Sequence, residues 1–407
     1  MKNKSVILAL LFLGWALGNF DRFVINYAIV DISKDLSLNA THTGIVLSTF
    51  FLGYAIMQIP GGLLADKFGP RKIVTISVLL LSLFTGLTGG VNSLFMLLVI
   101  RFLFGLGEGG FMPASTKAIS ETFPHKERGR AQSILLSSGG VMAILTPILS
   151  AYLLISFGWR PLFIGVALIG ALVVVLYLYF LKVPHEAISQ DSASVQVQQG
   201  KSPLKTVLKM PLLWSIFVSF FAIYTVQWGL TSWIPSYLSS VRGLDLVSIG
   251  WVQTIPGVAM LIGMLLGGVI MDKIPQGKEK IPGIIGTVLI AVLMYFMFTA
   301  TSITSFIIFQ TIVTFAIAVV IILLNAILLK NTPTSVAGSA MGFVNVGGQL
   351  AGFLAPTLIG FIFDASGSFD MAFWMLIGFA IVCLIAIITF RTTKQPEQPE
   401  QLSSSVS

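Results

Sequence analysis

Apolar residues run along this chain in long blocks separated by short polar connections. The blocks lie at roughly 6–30, 42–65, 73–91, 93–116, 131–156, 161–182, 211–240, 247–271, 281–299, 303–329, 336–363 and 370–390. Each is close to the ~20 mostly apolar residues that cross a bilayer as a helix. They are too long and too continuously apolar for barrel strands. In lipid every backbone group must bond within its own segment, so these blocks predict helices. The expected fold class is all-α integral membrane with twelve transmembrane helices. Met1-Lys2-Asn3-Lys4 followed by an apolar run resembles a signal peptide, but the run continues past Asp21 with no small-residue cleavage site. It reads as an uncleaved first span.

Composition agrees: the 407 residues are 56% hydrophobic and only 10% charged, against about 25% charged in soluble domains. The net charge of +8 raises nucleic acid as a partner, but the basic residues are scattered through short connections. They alternate instead. Lys67, Arg71, Lys72, Lys117, Lys126, Arg128, Arg130, Lys182, Lys201, Lys205, Lys209, Lys273, Lys278, Lys280 and Lys330 share one set of connections with both termini, whereas the alternate connections hold only Lys34, Arg160 and Arg242. The positive-inside rule then puts both termini in the cytoplasm of a multi-pass cell-membrane protein, a bacterial inner membrane being the expected setting. The lone cysteine, Cys383, lies in the last span and allows no disulfide framework within the chain.

The connection at 183–210 and the tail at 392–407 are polar and low in complexity, so a linker and a disordered cytoplasmic end are expected. The linker divides six spans from six, and the halves echo each other. Gly61-Gly62-Leu63-Leu64-Ala65-Asp66-Lys67 recurs as Gly267-Gly268-Val269-Ile270-Met271-Asp272-Lys273, and Pro124, Gly129, Ala131, Gly139 and Pro147 recur as Pro333, Gly338, Ala340, Gly348 and Pro356. This predicts two pseudo-symmetric six-helix bundles, 1–182 and 211–391, with a site near the midplane between them.

Four ionisable residues fall inside spans: Asp21 and Arg22 in the first, Arg101 and Glu108 in the fourth. A charge at membrane depth costs about 3 kcal/mol on insertion scales, so such residues are rare and mark function by default. Arg101 and Glu108 are seven residues apart, about 10 Å along one helix face. A buried acid is pushed toward its neutral form and a nearby arginine pulls it back, so Glu108 beside an arginine that moves suits a proton carrier. Arginine stays charged and presents a planar fork to carboxylates, which makes Arg22 the better anion anchor and Asp21 the better proton acceptor. The same residues also fit a static ion-pair network holding two helices together.

The stretch Gly62-Leu63-Leu64-Ala65-Asp66-Lys67-Phe68-Gly69-Pro70-Arg71-Lys72 resembles the signature between the second and third helices of the major facilitator superfamily. The resemblance implies the major facilitator fold and a cytoplasmic gate built on Gly62, Asp66, Gly69, Arg71 and Lys72. The residues alone also allow a charged turn that only sets topology. Asn19-Phe20-Asp21-Arg22, the run from Arg101 to Gly109, and Pro124 to Ala131 are similar to the anion:cation symporter family within it, which includes bacterial sugar-acid carriers and sialic-acid carriers. That resemblance implies proton-coupled transport of an organic anion, with Asp21 and Glu108 carrying protons and Arg22 holding the carboxylate. One departure matters. The family's glutamate carriers have a second substrate arginine in the seventh span, where this chain reads Tyr224-Thr225-Val226-Gln227-Trp228-Gly229-Leu230-Thr231. A substrate with one carboxylate and several hydroxyls is expected.

The second half offers neutral groups at membrane depth: Tyr224, Gln227, Gln253, Gln310, Asn325, Asn345 and Gln349. Gln227 and Asn345 are the best hydroxyl ligands among them, although interhelical bonding is the alternative for each. Tyr54 and Gln58 form a similar pair facing the cavity, Trp228 is placed to stack on a sugar, Arg101 joins the anion site, and Trp233 reads as an interfacial anchor. The histidines show no metal-ligand spacing, so no metal and no cofactor beyond a proton gradient is expected. No nucleophile–base set suggests an enzyme. The expected partners are an organic anion, protons and the bilayer, with a monomer as the working unit. The alternative is a drug/proton antiporter of the same superfamily. Such carriers usually have Gly-Pro-x-x-Gly-Gly in the fifth span, which Ser138 to Pro147 lacks.

Overall fold

The computed structural model describes residues 2–181, 207–275, 278–333 and 336–390. Most of the expected linker and the whole tail after Arg391 lie outside them. The described residues form helices α1 (Lys2–Asp35), α2 (Ala40–Phe68), α3 (Pro70–Thr88), α4 (Leu94–Gly109), α5 (Phe111–Thr122), α6 (His125–Phe157), α7 (Trp159–Phe180), α8 (Pro211–Ser240), α9 (Leu246–Lys273), α10 (Lys280–Thr299), α11 (Ile303–Asn331), α12 (Ala337–Ser366) and α13 (Asp370–Thr389). With α4 and α5 as one segment they make twelve membrane-length spans. The expected spans match these within a few residues, because an apolar block of this length has only the helix open to it in lipid.

The fourth span departs from the single helix expected at 93–116: helical pairing is interrupted at Gly110. Pro113, one turn on, has no N–H to give the Gly109 carbonyl. The break follows Glu108 by two residues and sits where the chain runs close to α2. A Cβ on Gly61 would stand 2.5 Å from the Gly110 Cα. Further along, Gly53 of α2 and Gly105 of α4 face each other's backbone, so that a Cβ on either would collide with a carbonyl oxygen, of Phe102 or Phe50 respectively. Such small-residue contacts let helices approach closely where no hydrophobic effect draws them together. Lipid-facing positions remain apolar and open, as at Phe95, Leu168 and Ile285.

The halves meet across α2 with α12 and α6 with α9. The contacts between them cluster toward the end that the charge distribution assigns to the outside. There α2 begins with its first N–H groups pointing at α12: Asp364 accepts from the Ala40 N–H (3.1 Å), the Thr41 N–H (2.7 Å) and the Thr41 hydroxyl (2.6 Å). Asn39 takes the His42 N–H at 2.8 Å. A helix start leaves four such donors unsatisfied, and a carboxylate there also meets the positive end of the dipole. Deeper in, Ser48 and Thr357 share a hydrogen bond of 2.8 Å, and Thr254 donates to the Ile144 carbonyl at 3.3 Å. Trp233 is a correction to the expected interfacial anchor. It is buried, donates to the Pro356 carbonyl at 3.0 Å and packs edge-on to Phe369, because this second half of α8 lies inside the bundle.

Candidate functional site

Asp21 and Arg22 are consecutive on α1, so their side chains leave the helix about 100° apart. Arg22 points toward α2 and the middle of the molecule, whereas Asp21 points toward α3 and α4. Each meets a different partner from α4. Arg22 Nη2 donates to Glu108 Oε1 at 2.5 Å, and Arg101 Nη1 lies 3.7 Å from Asp21 Oδ2. Thr85 of α3 donates a second bond to Asp21 at 3.2 Å. Arg101, although on the same helix face as Glu108, is thus paired with Asp21. Arg101 and Glu108 lie two turns apart, and that separation lets one arginine–acid pair form at each level. Glu108 reaches Arg22 past Gly18, where a Cβ would stand 3.1 Å from Oε1.

The four groups are almost entirely out of solvent: side-chain exposure is 0% for Asp21, 1% for Glu108, 2% for Arg101 and 13% for Arg22. Arg22 is the open member. Its guanidinium carbon stands 4.8 Å from the Phe50 ring centre, 5.0 Å from Tyr54 and 5.5 Å from Trp15, a cage that favours a cation without supplying a counter-charge. Several charged-group atoms have no partner: Asp21 Oδ1, Glu108 Oε2, Arg22 Nε, and Arg101 Nε and Nη2. A set of buried charges with unused donors and acceptors is one whose partners can be exchanged.

Arg22, Arg101 and Trp228 line one cavity between the halves, together with Asn26, Phe51 and Ser232. Trp228 packs edge-on to Phe51 at 4.6 Å, so its ring face is not stacked on that neighbour. Gln227, one position earlier on α8, turns into an adjacent cavity with Asn26, Thr231, Gln253 and Gln310. The structure therefore brings together Arg22, Arg101 and Trp228, joins Tyr54 to them through its ring against Arg22, and sets Gln227 next door, while Gln58, half-buried one turn from Tyr54, lines neither cavity. Tyr224 and Asn345 line neither cavity. Tyr224 packs on Phe220 and lies against Gly348, so the residues paired with Gln227 in the expected hydroxyl site are elsewhere. Sequence reasoning missed Asn26, Phe50 and Trp15. Asn26 stands one helical turn after Arg22, a spacing that could have marked it.

The expected gate residues cluster at the other end. Asp66 pairs with Lys117 of α5 at 2.8 Å and remains 71% exposed. Gly69 turns the chain with φ +86°, a conformation that favours glycine, and Arg71 donates to the Leu178 carbonyl at 2.7 Å. Lys72 is exposed, and Gly62 makes ordinary contact with Pro113. The Asp66 and Arg71 contacts stay within the first half.

Residues 11–356 match the family model described as Major Facilitator Superfamily. A probable sulfoacetate transporter of Cupriavidus necator is 29% identical, the match covering 98% of this chain and 97% of the relative. The hexuronate transporter of Bacillus subtilis is also 29% identical, over 96% and 95% respectively. Among solved structures, a bacterial homologue of the human lysosomal transporter Spinster, inward-facing and unoccupied, superposes with a TM-score of 0.81 over 95% of this chain and 97% of that one. Its 18% identity speaks for the fold alone.

Proposed function

We propose that this chain, which belongs to the Major Facilitator Superfamily, is a proton-coupled symporter of a small organic anion, most specifically a sugar acid such as a hexonate, glucarate or hexuronate. It is a multi-pass membrane protein of transporter fold and not an enzyme. Curated relatives named for transport of small organic acids support the substrate class. The observation that carries the coupling is the contact between Arg22 and Glu108, in which the more exposed of the two arginines lining the central cavity is held by a buried acid.

The cycle follows from competition for that arginine. A substrate carboxylate entering the cavity displaces Glu108 from Arg22, and the freed acid takes a proton rather than stand ionised and unpaired in a dry interior. The loaded site is then neutral overall, as it was when empty. When the opposite side opens, anion and proton leave together and the Arg22–Glu108 pair re-forms. Asp21, held by Arg101 and Thr85, is the second proton site. Tyr54, Gln58 and Trp228 border the anion. Two six-helix halves rocking about this midplane site supply alternating access. The latch of Asp364 on α2 belongs to the state closed outside, and the cytoplasmic loop around Asp66 and Arg71 to the opposite gate. Both termini lie in the cytoplasm, and one chain suffices.

The test is uptake of labelled D-galactonate, D-glucuronate and D-glucarate into proteoliposomes with an imposed pH gradient. Accumulation above equilibrium that collapses with a protonophore is expected. Uptake indifferent to the gradient, or none of any organic acid alongside export of cationic drugs, would overturn the proposal in favour of antiport.

A further inference from the structure

The second cavity lies between the halves, beyond Asn26 as seen from Arg22, and has no role in the charge cycle. Its walls come from α1, α6, α8, α9 and α11, and its polar lining is neutral, with Asn26, Tyr27, Gln227, Gln253, Gln310 and two threonines. The amides of Gln253 and Gln310 bond reciprocally, at 3.1 and 2.8 Å. Gln227 is 8% exposed. Its amide nitrogen donates to Thr231 Oγ1 at 3.2 Å and approaches Met260 Sδ at 3.8 Å, while its Oε1 is buried with no partner. An unmatched acceptor in a dry site is costly, and the Gln227 side chain borders a chamber ringed by further amides and threonines.

The two cavities share Asn26, which is 5% exposed and stands about 6 Å along α1 from Arg22. The two are one turn apart and so on the same face. The α8 positions alternate to match, with Trp228 and Ser232 toward the arginines and Gln227 and Thr231 toward the amide chamber. The amide chamber thus adjoins the place where a carboxylate at Arg22 would sit, with Asn26 between them.

We infer that the chamber formed by Asn26, Gln227, Gln253 and Gln310 is the subsite for the uncharged, hydroxylated end of the transported anion, and that it sets substrate length. This rests on the reading of the chain as an organic-anion carrier. Amides both donate and accept, as hydroxyls do, so a polyol tail can replace the Gln253–Gln310 bonds with bonds to itself and supply Gln227 Oε1 with a donor. The lining has no charged side chain to meet a second carboxylate. Because α9 and α11 belong to the second half and Asn26 to the first, a tail seated there touches both moving bodies.

The experiment measures binding of D-galactonate and of glycolate, a two-carbon hydroxy acid, to purified full-length protein by calorimetry. The variants are Q253L/Q310L and N26A. Replacing both members of a bonded pair by apolar groups of similar shape leaves no orphaned amide, so the double variant is expected to fold. It should bind galactonate roughly tenfold or more weakly, from the loss of one or two hydrogen bonds, with glycolate affinity unchanged. N26A should show the same selective loss and stands in if the double variant does not fold. Equal effects on both ligands, or none on galactonate, overturn the subsite while leaving the carrier reading intact. Failure of the wild type to bind either ligand overturns the carrier reading, and the subsite falls with it.

Discussion

Replacing Glu108 by glutamine removes the charge that, in the proposed cycle, competes with substrate for Arg22, while keeping the side chain's shape. In the parent the Arg22 guanidinium gives Glu108 a charge-assisted hydrogen bond at 2.5 Å with both groups buried. Unit charges about 4 Å apart attract by about 4 kcal/mol at an effective dielectric of 20, but most of this is offset by desolvation. Mutational values are the better guide: about 1.5–3 kcal/mol net for a bond to a charged group against about 0.5–1.5 for a neutral one. The substrate therefore has about 1–2 kcal/mol less to displace in E108Q, and its carboxylate should bind roughly 5–30-fold tighter at a pH where Glu108 is ionised. In the proposed cycle, binding to the parent also takes up a proton. Its affinity should weaken as pH rises, by up to about tenfold per unit, and the variant should lose that slope. Asp21, Arg101 and Tyr54 also face this network; a slope that survives in E108Q but vanishes in D21N assigns the proton to Asp21. In proteoliposomes E108Q should still exchange substrate in counterflow but not concentrate it. If E108Q accumulates substrate uphill with unaltered pH dependence, the competition between carboxylate and Glu108 is wrong.

A double-mutant cycle on D21N and R101Q should give a coupling of about 1–3 kcal/mol in thermal stability, and one on E108Q and R101Q much less; the reverse order would restore the Arg101–Glu108 pairing that the structure replaces. R22K keeps the charge but loses the planar fork, and should raise the KM for anion uptake about tenfold or more; an unchanged KM would remove Arg22 from the carboxylate site. D364N weakens the acceptor at the start of α2, worth about 1 kcal/mol for a typical helix cap, so the outward-open state should gain about fivefold in population. In a C383A background carrying S232C, labelling by an external impermeant maleimide should quicken by that factor, and no change would mean that Asp364 does not hold the outer gate. G53V drives a branched side chain into the Phe102 carbonyl at the α2–α4 crossing and should lower the melting temperature, since overpacking costs about 1–3 kcal/mol; a variant as stable as the parent would mean that the helices separate freely there.

Sequence alone determined the number and placement of the spans, the alternation of basic connections, the half-chain repeat and the four charged residues at membrane depth. The reason is physical. A bilayer leaves a twenty-residue apolar block one backbone option, and it makes charge so costly that any charged residue within a span stands out. These signals are local and survive without knowledge of neighbours. Pairing is not local. Arg101 and Glu108 share a helix face, which suggested that they act on each other; only the placement of α1 across α4, with Gly18 leaving room for a carboxyl, decided that Arg22 holds Glu108 and Arg101 holds Asp21. The same limit hid Asn26 and the Gln253–Gln310 pair, ordinary amides in a chain with many until three helices from two halves bring them to one chamber. It also misjudged Trp233, whose position in the chain fits a membrane interface but whose indole faces Pro356 inside the bundle. Periodicity places a residue on a helix face, and what that face meets is settled only when the helices pack.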